Sequence, residues 1–251
     1  MMQRYFLPVD FGRDKKFALD DATYHHFVQV LRAQIGQAAE FVTPTQQLFL
    51  AQLSSLDLEH HRAIMTIERQ LEQTVELPIH VRLVCGLPKG DKADFITQKA
   101  TELGASEIVF VKTTWSIADW RNKVAKKRQR LQTIALNAAQ QAHRLMVPEV
   151  HYLDQLSQID ELPTDIGLVA WEESAKAGEQ THLAQVLTTI AEEQTLTVVF
   201  GPEGGLTPDE VTALQAVNYH PVGLGPRILR TETAPLYLLS AVSFATEMMA
   251  H

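Results

Sequence analysis

The chain has 251 residues, 45% of them apolar and 21% charged, which is enough to bury one large core or two smaller ones. No run of eighteen apolar residues occurs and the N-terminus "MMQRYFLPVD" lacks the apolar stretch of a signal peptide, so the expected setting is the cytoplasm. A formal net charge of −8 argues against a polyanionic partner, but residues 78–151 carry 12 Lys/Arg against 6 Asp/Glu, whereas residues 152–251 carry 3 against 14.

In chain order, the first seventy or so residues hold short apolar or alternating runs, "RYFLPV", "AAEFVT", "LFLAQLSS" and "MTIERQ", with one helical stretch, "DDATYHHFVQVLR", capped by Asp20 or Asp21. Short strands with little helix predict a small β-rich domain over residues 1–73, a barrel or curled sheet. The polar span "LEQTVELP", ending in Pro78, marks the boundary to a second domain, 74–251.

From Ile79 onward, apolar runs alternate with helical segments. "IHVRLVCGL" reads as a strand, "KADFITQKATEL" as a helix closed by Gly104, "EIVFVK" as a strand and "RNKVAKKRQRLQTIALNAAQQAHR" as a long helix. "IGLVAW", "THLAQVLTTIAEE", "TLTVVF", "PDEVTALQAV", "HPVGLG" and the terminal helix "APLYLLSAVSFATEMMA" continue the alternation. Strand and helix in turn predict an α/β fold with a parallel sheet and helices on both faces. The only cysteine, Cys85, lies in an apolar run and reads as a packed small side chain.

Ligands of such sheets lie beyond the carboxyl ends of the strands. Two loops stand there. In "FGPEGGLTPDE", three glycines permit close backbone approach, then Thr207, Pro208 and Glu210 specify a capping box. In "LGPRILRTETAP", Gly225 and Pro226 turn the chain before Thr231 or Thr233 opens the last helix. Neither loop is GxGxxG or GxxxxGK[ST], and residues 177–251 contain no lysine, which disfavours a triphosphate. No histidine pair has metal-ligand spacing and no cysteines accompany them, so no metal is expected.

These two loops strongly resemble the bacterial RsmE-type methyltransferases of the SPOUT superfamily. "QRYF" at Gln3, "HHFVQVLR" at His25, "KGDKADFITQKATELG" at Lys89 and "VPE" at Val147 match the same family in order and spacing. The resemblance implies S-adenosylmethionine-dependent methylation of uridine N3 in 16S ribosomal RNA by a cytoplasmic homodimer. It implies a small PUA-like RNA-binding barrel followed by an α/β domain whose C-terminal chain forms a trefoil knot. It places the cofactor against Phe200, Gly201, Pro202, Glu203, Gly204, Leu224, Gly225, Ile228, Leu229, Thr233 and Ala234.

The chemistry then assigns roles. Uridine N3 becomes nucleophilic only as its proton leaves and charge spreads to the flanking carbonyls, so the site needs a proton acceptor and a cation. Arg230 is the candidate cation, with Glu232 or Glu203 accepting the proton or orienting the arginine; the other reading pairs Arg230 with Glu232 as a structural brace. RNA contact is expected from Arg4, His26 (beside His25), Arg32, Lys89, Lys92, Arg121, Lys126, Lys127 and Arg144, including the basic run Arg121–Arg130. The chain departs from the family in "TTWSIADW", Thr113 to Trp120, where the family has a Ser-Glu-Arg run; Trp115 or Trp120 either stacks on a base or packs. The alternative function is a non-catalytic RNA-binding ribosome-assembly factor with the same knotted fold.

Overall fold

A computed structural model describes residues 2–10, 15–173 and 181–249. It divides into two compact units, Met1–Glu76 with Ala139–Met146, and Leu77–Ala138 with Val147–His251.

The smaller unit is a five-stranded sheet. Strands β1 (Arg4–Phe6), β2 (Lys16–Ala18), β3 (Ala38–Val42), β4 (Leu48–Asp57) and β5 (Arg62–Leu71) lie in the order β1-β3-β4-β5-β2, with β1 and β3 parallel and the other pairs antiparallel. Its helix, α1 (Asp21–Tyr24), runs on as a π-helix over His25–Val30. Of the two candidate caps it is Asp20 that accepts the Thr23 N–H, at 2.8 Å. Tyr5, Phe27, Phe41, Leu53 and Met65 form the core.

Arg4 is buried in this unit, although its sequence context assigned it to RNA. Its Nε donates to Glu40 Oε2 at 2.9 Å, its Nη2 to Gln73 Oε1 at 2.7 Å, and its Nη1 to the main-chain carbonyls of His143 and Arg144. Arg144, also buried, pairs with Glu76, whose Oε1 accepts the Leu145 N–H at 2.7 Å. The segment Ala139–Met146 is therefore stitched to β1, β3 and the end of Met1–Glu76 by charge-assisted bonds.

The larger unit holds six strands, all paired in parallel. They are β6 (His80–Gly86), β7 (Glu107–Val111), β8 (Glu149–Leu153), β9 (Ile166–Ala170), β10 (Thr195–Phe200) and β11 (Tyr219–Val222), in the order β11-β9-β10-β6-β7-β8. Alternate residues feed opposite cores: Leu83, Cys85, Ile108, Phe110, Val198 and Phe200 on one face, and Val84, Val109, Val111 and Val199 on the other. A strand buried on both faces needs apolar residues at consecutive positions, which explains the unbroken runs in the sequence. Helices α2 (Lys92–Glu102), α3 (Val124–Gln141), α4 (Thr181–Thr189) and α6 (Ala234–Ser243) pack on the first face; α5 (Pro208–Ala216) and a 3-10 turn at Leu156–Glu161 pack on the second.

Strands β2 and β8 were not among the expected elements; each is short, and β8 buries only Val150, so neither carries a strong apolar pattern. The long basic helix is shorter than expected at both ends. Lys123 closes a turn on the Trp120 carbonyl before it, and His143 adopts φ +54° after it. The terminal helix passes into a π-helix at Phe244–Met248, and Ala250, expected within it, lies outside the described residues. Pro221 is tolerated because β11 is an edge strand. Cys85 is fully buried, and that burial pushes its thiol up to about 12, consistent with a packing role.

Replacing Arg4 by methionine strands the Glu40 carboxylate and two carbonyls. Urea unfolding is expected to show a loss of about 3 kcal/mol, with Arg4→Lys intermediate because it keeps the charge without the planar fork.

Candidate functional site

Adjacent strands β6 and β10 end side by side, and their loops touch. A Cβ on Gly86, the last residue of β6, would lie 2.6 Å from the backbone nitrogen of Pro202, so only glycine permits this approach. The loop after β10 is also folded tightly on itself. A Cβ on Gly201 would lie 2.6 Å from the Gly205 carbonyl carbon, and the Gly205 N–H donates to the Pro202 carbonyl at 2.8 Å with φ +77°.

The helix that follows is fixed as its sequence requires. Thr207 Oγ1 accepts the Glu210 N–H at 3.1 Å and Glu210 Oε2 accepts the Thr207 N–H at 2.8 Å, a complete capping box. Glu210 has a second use: its Oε1 accepts the Thr114 N–H at 2.7 Å, tying the loop after β7 to this helix start. That tether sets Trp115 against the glycine loop, where a Cβ on Gly204 would lie 3.0 Å from Trp115 Cβ. Of the two tryptophans in this segment, Trp120 is the packed one, 5% exposed and lying against Phe110 and Tyr152, whereas Trp115 is 47% exposed.

The loop after β11 turns at Gly225, φ +86°, and runs to α6 with the Thr231 side chain buried. The Thr233 and Ala234 N–H groups both donate to the Arg230 carbonyl, at 2.8 and 3.0 Å. Thr233 occupies the cap position with helical backbone angles and makes no side-chain cap, so the hydroxyl role expected of Thr231 or Thr233 is not used.

Lys92, in the first turn of α2, joins the two loops. Its Nζ lies 2.9 Å from Glu203 Oε1 and 3.0 Å from Glu232 Oε2. Glu203 Oε1 also accepts the Lys89 N–H at 3.1 Å. Burial pushes Glu203 up, but Lys92, its own N–H and the Lys89 N–H outweigh burial and hold it below the usual carboxylate value. Glu232 is lowered in the same way, by its own N–H, Lys92 and Arg230 against burial. The two carboxylates in turn hold the Lys92 ammonium above its ordinary value. With Arg230 beside Glu232, this corner sets two cations against two carboxylates.

The expected site residues are thus partly gathered. Glu203 and Glu232 share one lysine, which sequence reasoning had given to RNA. Arg230 stands 84% exposed with its Nη1 4.0 Å from Glu232 Oε1, a loose pair. The Phe200 side chain belongs to the core, Pro202 is buried against β6, Leu224 is half-buried on the core, and Leu229 and Ala234 are half-buried. Ile228 is 78% exposed, and the Thr233 side chain is also exposed.

Among the candidate RNA contacts, Arg4 and Arg144 are consumed by buried pairs, as described. His26 is exposed, with Nδ1 2.9 Å from Tyr5 Oη, and His25 is exposed, with Nδ1 2.6 Å from Gln29 Oε1. Arg32 is exposed in a left-handed conformation, φ +56°, and Lys89 is exposed. The basic run is partly neutralised. Arg121 pairs with Asp119 at 2.5 Å, Arg130 with Asp94, and Lys127 lies 5.6 Å from the Trp120 ring centre, leaving Lys123 and Lys126 exposed. Among the described residues, no group of three or more His, Cys, Asp or Glu is arranged to hold a metal.

A parallel α/β unit with glycine loops and charged side chains converging at its carboxyl edge is matched by the family described as RNA methyltransferase domain, over residues 75–243. The chain is 37% identical over 254 residues to the ribosomal RNA small subunit methyltransferase E of Bacillus subtilis (strain 168), covering 99% of this chain and 98% of that one. Among solved structures, the ribosomal RNA small subunit methyltransferase E of Neisseria gonorrhoeae bound to S-adenosyl methionine is 28% identical, with a TM-score of 0.82 over 97% of each chain. A Legionella pneumophila protein solved with bound SAM is 25% identical, with a TM-score of 0.84 over 98% of each. The chain belongs to the ribosomal RNA small subunit methyltransferase E family.

Two outcomes follow for the site. Gly86→Ala drives a methyl group into Pro202 backbone and is expected to cost about 1 to 3 kcal/mol in urea unfolding. The stabilisation from lowered carboxylates is complete above the ordinary glutamate value and is lost as pH falls through the lowered ones; that from the raised lysine is complete below the ordinary lysine value. The difference in urea midpoint between the native chain and Lys92→Met should therefore be largest near neutrality and close on acidification.

Proposed function

We infer that the chain transfers the methyl group of S-adenosylmethionine to N3 of an unpaired uridine in small-subunit ribosomal RNA. The observation that carries this reading is the meeting of the Gly201–Gly205 loop with the Glu232 loop through Lys92. The chemistry of the corner suits the cofactor. It places two carboxylates where a sulfonium can sit near them, it offers backbone at glycines where side chains would intrude, and the charged groups of its two loops beyond β10 and β11 are arginines and carboxylates rather than phosphate-binding lysines. The two relatives solved with SAM support the same choice. When bound, that cofactor supplies a methyl group already activated by positive sulfur.

What remains for the protein is alignment, proton removal and charge stabilisation. Loops anchored on rigid strands fix the geometry, a contribution of about 7 to 11 kcal/mol in well-oriented reactions. Gly201, Pro202, Glu203, Gly204, Leu224, Gly225, Leu229, Thr233 and Ala234 supply the cofactor wall, with Ile228 exposed at its rim. Arg230, exposed and held only loosely by Glu232, is free to meet the carbonyl oxygens of uracil as N3 loses its proton. N3 lies on the pairing edge, so the target base is unpaired or flipped outward.

The smaller unit, which contains the expected residues 1–73, serves as a PUA-like RNA-binding domain and the larger one as the methyltransferase domain, its C-terminal chain knotted as in the SPOUT superfamily. His26, Arg32, Lys89, Lys126 and Lys127 are the proposed RNA contacts. Tyr237, Phe244, Met248 and Met249 expose apolar surface on the last helix, which supports a homodimer. No helix among the described residues is long and apolar enough to cross a membrane, in keeping with a cytoplasmic ribosome substrate.

Labelled-methyl transfer to small subunits lacking the modification should yield N3-methyluridine by mass spectrometry. A methylated cytidine or guanosine overturns the substrate assignment, and cofactor binding without transfer favours an assembly factor. Arg230→Ala is expected to lower kcat by roughly 10²-fold while the cofactor Kd stays within about twofold; equal losses in both would make Arg230 a brace.

A further inference from the structure

Glu203 and Glu232 lie in different loops, and among the described residues the side chain that touches both is Lys92, contributed by a third element, α2. The two carboxylates are not held alike. Glu203 is anchored: one oxygen, Oε1, takes both the Lys92 ammonium at 2.9 Å and the Lys89 N–H at 3.1 Å. Glu232 has its own N–H and the Lys92 ammonium, but no N–H from another loop. Nearly as close as it stands to Glu203, Lys92 lies 3.0 Å from the buried Oε2 of Glu232. Its other oxygen has Arg230 at 4.0 Å. Lacking the main-chain donor that Lys89 gives Glu203, Glu232 is the carboxylate with capacity left to meet another group.

We propose that Lys92 is a positioning residue, a clasp anchored on Glu203 that joins the two loops and presents Glu232 as the group that takes the uridine N3 proton. The inference rests on the methyltransferase reading above. In the step, the N3–H bond breaks and the proton passes to the Glu232 carboxylate, the electron pair left on N3 forms the new bond to the methyl carbon, and the methyl–sulfur bond breaks with its electrons leaving on the sulfur of a neutral thioether. Arg230 offsets the charge that spreads to the uracil oxygens. Lys92 touches neither base nor methyl group; it acts through the two glutamates. The charged groups facing Glu232 are Lys92 and Arg230, and the one facing Glu203 is Lys92.

The test compares Lys92→Met, Lys92→Arg, Glu203→Gln and Glu232→Gln in the full chain. Measured quantities are kcat and KM for small subunits, the pH dependence of kcat/KM, and RNA affinity. Lys92→Met is expected to lower kcat by roughly 10²-fold, the scale of a misplaced catalytic group, with RNA affinity unchanged within about twofold. Its acid limb should move to higher pH, because the glutamates lose the cation that favours their ionised form. Lys92→Arg should restore part of both. Glu232→Gln should abolish the acid limb, and Glu203→Gln should keep it.

Weakened RNA binding with kcat intact would make Lys92 a phosphate contact and overturn the proposal, as would an unmoved acid limb or an acid limb lost in Glu203→Gln instead. If the native chain transfers no methyl group, the methyltransferase reading fails by itself. The clasp is then read from 13C NMR titration of the two carboxyls. Both should titrate higher in Lys92→Met, and unchanged titrations overturn it.

Discussion

The contact on which the catalytic corner depends is the approach of two strand ends. With a side chain on Gly86, the Pro202 backbone has no room against β6, and the loop carrying Glu203 moves away from α2. Everything downstream inherits that spacing. Lys92 reaches Glu203 because α2 starts directly after β6, and it reaches Glu232 because the last loop descends on the same edge of the sheet. Two carboxylates brought together repel, and without a cation one of them would take up a proton. The lysine therefore decides the charge state of the corner as well as its shape. Because the cation comes from a third element, neither loop can shift without disturbing the other.

The sheet makes such spacing dependable. Its central strands are buried on both faces, and side chains at successive positions enter separate cores, so each strand is gripped from above and below. Loops leaving a platform of this kind can be irregular without being loose. Glu210 shows the economy of the arrangement: one carboxylate completes the cap of α5 and also pins the loop that carries Trp115. The segment Thr113–Trp120 is thus held against the glycine loop, with one indole packed and the other open to solvent.

Much of this was legible in the amino-acid sequence. Continuous apolar runs announce strands buried on both sides, and "TPDE" announces a helix start, because in each case the physics is local. Glycines beyond the carboxyl ends of strands pointed to the two loops, and the family resemblance was carried by them. Non-local relations stayed hidden. Gly86 looks like any glycine after a strand, and its necessity appears only once Pro202 is beside it. Lys92 reads as one cation in a basic region until two glutamates from distant segments close on it. Arg4 and Arg144 illustrate the opposite error: positive charge suggested phosphate, yet burial and carboxylate partners make them struts. Strands β2 and β8 escaped because a short edge strand with few buried residues leaves almost no periodic trace.

The smaller unit is discontinuous along the chain, since Ala139–Met146 belongs to it together with Met1–Glu76. This has a consequence during synthesis. A nascent chain emerges N-terminus first, so Arg4, Glu40 and Glu76 leave the ribosome well before the carbonyls of His143 and Arg144 and the guanidinium that complete their network. Until that octapeptide arrives, a buried cation and a carboxylate lack part of their compensation. The first unit to be translated thus cannot be finished when its own strands are made, and more than half of the polypeptide must be made before its N-terminal sheet reaches its final state.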